Sequence, residues 1–195
     1  MSSDRRRKPA MCTCGCRLAL SAEPEWRGRL CTVLEPGRGP EQEVSALVNN
    51  VSTDNVLLMA RTREWPGRAG LLLLRELMLS HYVRLVTANP HGLRRLHEDP
   101  MAEHLRISLV VGPGQLSADG GLLRCLRPQD TLRVEFGAAE DLLPLREVLA
   151  ALNPRCGVCL CPTGGGAQDK EALLRGFMGW QRGSGMDLSR VRMVV

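Results

Sequence analysis

Thr131-Leu132-Arg133-Val134-Glu135-Phe136, six residues near the middle of the second half, decide the fold class. Leu132, Val134 and Phe136 alternate with Arg133 and Glu135, so one face is apolar and the other charged, the period of a strand. From Asp141 to Leu152 the period changes. Leu142, Leu145, Leu149 and Leu152 recur every three or four positions, which is the stripe of an amphipathic helix, and Asn153-Pro154 stops it. The short apolar run Cys156 to Cys161 then reads as a second strand. Downstream come a loop, Thr163-Gly164-Gly165-Gly166, and a helix from Asp169 to Trp180 with Leu173, Leu174 and Phe177 facing inward. A last strand follows from Val191 to Val195. Upstream, His104 to Val111 is a strand closed by Gly112-Pro113-Gly114, and Leu122 to Leu126 is strand-like. Strands interleaved with helices predict an α/β (α+β) class, a mixed sheet with flanking helices.

The first half is less regular. Leu71 to Ala88 reads as one helix, apolar nearly all round and therefore buried, between Gly70 and Asn89-Pro90. His91 to Glu98 reads as a short helix. Val44–Val48 and Val56–Met59 are apolar patches that predict strands or a hairpin. Before them, Pro9, Pro24, Pro36 and Pro40 with Gly28, Gly37 and Gly39 predict irregular chain. Three segments result: a basic, cysteine-containing and partly disordered tail over 1–40, an extension with a buried helix over 41–100, and an α/β domain over 101–195. No internal repeat is evident by eye.

Composition narrows the function classes. Hydrophobic residues are 44% of the 195, enough for a core, but aromatics are only 3%, so that core is Leu, Val and Ala. The net charge of +5 comes largely from Arg5, Arg6, Arg7 and Lys8, and base-stacking aromatics are scarce. The expectation is no nucleic acid and, with every apolar run short, no membrane span. Eight cysteines without an apolar leader predict reduced thiols in the cytoplasm, with the nucleus as a second compartment.

Three patterns could carry chemistry. Cys12, Cys14 and Cys16 together with Cys156, Cys159 and Cys161 supply the soft ligands a zinc site needs. Strand alternation, however, sends Cys159 and Cys161 to one face and Cys156 to the other, as core cysteines. The glycines before the last helix could cradle a phosphate, but Gly-Lys-Ser/Thr is missing and Asp169 and Glu171 put negative charge where a phosphate would sit. His81, His91, His97 and His104 match no nucleophile signature and read as solvated helix-face residues. No catalytic residue, metal or cofactor is assigned.

Asp169-Lys170-Glu171-Ala172-Leu173-Leu174-Arg175-Gly176-Phe177-Met178-Gly179-Trp180 resembles the helix of ornithine decarboxylase antizymes, with its acidic-basic pair, Leu-Leu-Arg core and Gly-aromatic ending. Gly157 to Cys161, Thr131 to Phe136 and Val191 to Val195 resemble strands of the same family, so the likeness spans residues 104–195. It implies an acetyltransferase-like fold without that activity. It implies a non-catalytic inhibitor that binds the ornithine decarboxylase monomer, blocks the active dimer and directs it to the proteasome without ubiquitin, lowering polyamine synthesis and uptake. Antizyme inhibitor is a further expected partner, and messages of the family undergo ribosomal frameshifting. The partner-binding residues implied are Glu147, Asp169, Lys170, Glu171 and Arg175. The alternatives are an acyl-CoA-dependent acetyltransferase using Gly164 to Gly166, and a zinc-stapled interaction module.

Overall fold

The computed structural model describes residues 16–23, 26–35, 47–60, 67–118, 120–163, 167–182 and 190–194. The strand–helix–strand core lies where the periodicity places it: β6 is Thr131–Phe136, α5 Leu142–Leu152 and β7 Gly157–Pro162. Asn153 closes α5 in the left-handed conformation at φ 45°, donating its N–H to the Leu149 carbonyl. Asparagine tolerates that region, and Pro154 cannot extend the helix, so the stop is local chemistry. α6 runs Ala167–Arg182 and β8 Val191–Met193.

Upstream are β1 (Cys16–Leu20), β2 (Leu30–Leu34), β3 (Asn55–Ala60), α1 (Arg68–Met78), β4 (Tyr82–Thr87), α2 (Gly92–His97), β5 (Arg106–Val111), α3 (Pro113–Ala118) and α4 (Gly120–Leu123). Three sequence readings are corrected. The single helix over Leu71 to Ala88 is α1 followed by β4: after a turn at Ser80-His81 the β-branched Val83, Val86 and Thr87 favour the pleated surface. Leu122 to Leu126, read as strand-like, instead begins within α4. The first forty residues, read as irregular, carry β1 and β2, whose Cys31 and Val33 are buried. The apolar patch at Val56–Met59 is β3; of the patch Val44–Val48, read as a strand or hairpin, the described Leu47 and Val48 are instead helical and the rest lies outside the described residues.

All strands join one eight-stranded sheet in chain order, β1 to β8. β1 pairs antiparallel with β2, and every later pair is parallel. The sheet is therefore mixed, and it runs without a break through all three segments drawn from sequence. β3 to β7 begin at Asn55, Tyr82, Arg106, Thr131 and Gly157, one strand every 24 to 27 residues. That spacing is a structural repeat, of the length found in leucine-rich solenoids, which sequence reading had missed.

This order dictates the layers. Parallel crossovers are right-handed, and here each moves one place in the same direction, so the helices collect on one face. The core bears this out. Leu58, Leu85, Ile107, Leu132 and Leu160 of the strands share one buried cluster with Leu77, Leu96, Leu116, Leu149 and Phe177 of the helices. Alternate strand residues turn to the opposite face. There a separate cluster of Cys31, Val33 and Leu57 is covered by Trp26, from the loop joining β1 to β2. No helix among the described residues is long and apolar enough to cross a membrane.

Candidate functional site

Two surfaces present chemistry, one on each side of the sheet. The first is the outer face of α5 and α6. These helices pack together, close enough that a Cβ added at Gly176 would stand 3.4 Å from Leu142 Cδ1. Glu147 on α5 is exposed, as are Glu171 and Arg175 on α6. Arg175 Nη2 lies 3.9 Å from Glu171 Oε1, an i,i+4 pair that is open to water and contributes little to folding. Asp169 and Lys170 fall on α6, with side chains outside the described residues. Leu173 and Phe177 point inward as expected, and Phe177 stacks on Trp180 at 5.4 Å. Leu174, read as inward, instead stays 43% exposed, with Met178 at 54% one turn on. Three of the five sequence-derived residues are thus exposed on two packed helices, and α6 also carries an uncovered apolar pair.

The second surface is the opposite face of the sheet, where the Trp26 loop packs and where sequence reasoning found nothing. Arg84 on β4 is fully buried, held under Trp26 with its guanidinium carbon 5.6 Å from the ring. Its Nη1 donates to Ser108 Oγ at 3.2 Å and to Thr131 Oγ1 at 3.3 Å. Glu23, in the β1–β2 loop and only 3% exposed, reaches the same place. It accepts from Ser108 Oγ at 2.6 Å and from Arg133 Nη1 at 2.6 Å, and lies 3.6 Å from Arg84 Nη1. Burial alone would push the Arg133 pKa down, but the Glu23 carboxylate and Cys161 outweigh it and hold it above the ordinary value. The available signal was an arginine at an alternate position in each of two strands, YVRLVT and TLRVEF; only a partner carboxylate allows burial there. That carboxylate, 110 residues from Arg133, carries no local mark. Next to the cluster the carboxyl ends of β3 to β6 bound a groove of about 390 Å³, with Met59, Val86 and Val110 in its lining and Arg133 and Glu135 at one side.

The cysteines divide between the faces. Cys156 belongs to the helix-side core, and Cys159 and Cys161 occupy alternate positions of β7. Burial raises all three thiols, Cys156 and Cys159 to about 11, so at neutral pH they are protonated and poor nucleophiles. Among the described residues no group of three or more His, Cys, Asp and Glu is placed to hold a metal. Cys12, Cys14 and Gly164 to Gly166 lie outside the described residues.

The histidines do not converge: His81 and His104 precede β4 and β5, while His91 follows β4 and opens α2. His97, read as a solvated helix residue, instead directs Nε2 toward the buried Asp130, 3.6 Å from Oδ2, longer than a hydrogen bond. Asp130 is a staple. It accepts from the backbone N–H groups of Ile107 (3.1 Å) and Arg127 (2.9 Å) and pairs with the Arg127 side chain, which in turn donates to the Ala102 and Leu105 carbonyls. Burial opposes its charge, yet the His97 and Arg127 contacts prevail and its pKa is lowered. His104 lines a second, more polar groove of about 400 Å³ with Trp26, Tyr82 and Arg106.

Comparison with protein-family models, with curated proteins and with solved structures returns no match to the chain.

Proposed function

We propose that the chain acts without catalysis, by binding another protein through the outer face of α5 and α6, and that its partner is the ornithine decarboxylase monomer, as the antizyme resemblance implies. The observation that carries this reading is that Glu147, Glu171 and Arg175 are exposed on two packed helices, the second of which also leaves Leu174 and Met178 uncovered. Apolar anchors rimmed by charge are how a docking surface is built: burial of the anchors supplies affinity and the charges select the partner. The acetyltransferase-like arrangement implied by the resemblance is not needed for this; the face is. On this reading capture of the monomer prevents dimerisation and leads to proteasomal degradation in the cytoplasm or nucleus.

The test is a pull-down of purified decarboxylase with the charge-reversed variant Glu171→Lys/Arg175→Glu. The expected outcome is capture reduced at least about tenfold with an unchanged melting temperature, since exposed charges contribute little to folding. Unchanged capture removes the face. Calorimetric titration with acetyl-CoA separates the acetyltransferase alternative, which requires tight binding of that cofactor.

A further inference from the structure

The sheet ends at β1, whose only neighbour among the described residues is β2. On the side that carries the helices, this pair is buried at one end and open at the other. Cys16 and Leu34, opposite each other in register, belong to the core cluster. Alternation puts Leu18 and Leu20 of β1 and Leu30 of β2 on the same face, yet they are 46%, 69% and 51% exposed. A stack of strands that ends in water presents a polar outer face, and an open edge is blunted by charge. β1 has one charge, Arg17. It turns to the other face, where Glu35 stands 3.7 Å away and neutralises it. The backbone of the edge is also set for pairing. Ser21 donates its N–H to the Arg29 carbonyl at 2.9 Å, one rung beyond the Leu20–Leu30 pair. Antiparallel ladders alternate, so the backbone groups of Arg17 and Ala19 turn toward β2, and those of Cys16, Leu18 and Leu20 turn outward.

We propose that this edge joins a second copy of the chain, β1 against β1 and antiparallel, about a twofold axis that passes through Leu18 perpendicular to the sheet. Self-complementarity selects the occupant. In that register all five residues of β1 pair, Cys16 with the partner's Leu20 and Arg17 with the partner's Ala19. Each exposed Leu20 then lies beside the partner's Cys16, in line with the partner's Leu34, and prolongs a row that already runs into the partner's core. The two Leu18 residues meet at the axis, and no like charges face each other. An axis at Arg17 would set two arginines directly opposite, which is unfavourable. An axis at Ala19 would leave Cys16 and Arg17 outside the strand pair. One strand pair with three leucines a side makes a small interface, of the class that forms at micromolar concentration and separates on dilution. The edge is at the far end of the sheet from β6 to β8, between which α5 and α6 lie, and does not depend on the decarboxylase reading; either can fail alone.

The experiment follows the molar mass of the full chain by sedimentation equilibrium up to about 100 µM. The mass doubles reversibly with concentration. Leu18→Lys puts two ammonium groups at the axis and weakens the dimer at least about tenfold with an unchanged circular dichroism spectrum. Leu18→Cys gives the positive test. Directly opposite residues in a hydrogen-bonded antiparallel pair stand about 5.5 Å apart between Cα atoms, within disulfide range. Mild oxidation therefore links the tryptic peptide 18–27, which holds no native cysteine, to its own copy. A monomer at the highest concentration, a dimer indifferent to Leu18→Lys, growth beyond two copies, or the absence of the linked peptide overturns the proposal. If Leu18→Lys does not fold, the mass of the unmodified chain and the Leu18→Cys cross-link decide.

Discussion

Asp130 ties stability to pH through a single buried carboxyl. Its folded-state pKa lies below the ordinary 3.8, so below that value the unfolded chain binds the proton more readily. The stabilisation is therefore present above the unfolded value and is lost as pH falls through the lower, folded one. Asp130→Asn removes the carboxylate that holds Arg127 and the start of β5, a change that costs about 3–5 kcal/mol for buried pairs. Urea denaturation at neutral pH should show that gap, and at about pH 3 the gap should narrow, because below the ordinary carboxylate value the unfolded chain gains the proton that the native carboxylate resists. An equal gap at both pH values contradicts the assignment. The thiols give a second residue-scale expectation. Native protein treated briefly with iodoacetamide at neutral pH should be labelled at exposed Cys125 and spared at Cys156 and Cys159, whose pKa values near 11 leave almost no thiolate. Mass spectrometry of the digest reads this, and labelling of Cys159 at the rate of Cys125 contradicts it. At this scale the sequence was legible where a residue's role depends on its neighbours, as in the alternation that separates Cys156 from Cys159. It was silent where the partner is remote, as for Glu23 and Arg84.

Elements with a clean period were readable, and those with an all-apolar run were not. β6 alternates apolar with polar residues and α5 leaves Glu147 exposed opposite its buried leucines, so their periods of two and 3.6 show plainly in the residues. β4 is buried from Val83 to Thr87, whereas α1, read as buried all round, buries Leu73, Leu74 and Leu77 and leaves Leu72, Arg75 and Glu76 exposed; in one continuous apolar run the helix and the strand look alike. Branching at Val83, Val86 and Thr87 was the local cue to a strand. Energetics at this scale follow burial. Leu149 on α5 is fully buried, and Leu149→Ala should cost about 2–5 kcal/mol in chemical denaturation. Leu174→Ala on the outer side of α6 should change stability by no more than about 0.5 kcal/mol while weakening partner capture. A large loss of stability from Leu174→Ala would return that residue to the core and undercut the docking face.

Across the whole molecule, chain-order pairing of parallel strands explains why the two faces differ. With the described α-helices packed on one side, α5 and α6 leave charges and two apolar side chains exposed, while the other side offers a groove and a buried carboxylate held by arginines. The mixed sheet and the helices around it were legible in the sequence. The regular spacing of strands was not, because each strand differs in residues and only the distance between them recurs. The antizyme resemblance pointed to a face, and Glu147, Glu171 and Arg175 do lie exposed on neighbouring helices. What that face holds is settled by titrating purified ornithine decarboxylase with the full chain while following its activity and molar mass. The account predicts that activity falls in proportion to added protein and that decarboxylase dimers give way to a complex of one decarboxylase chain with one copy of this protein. Undiminished activity and an intact dimer at a molar excess of the protein would contradict it.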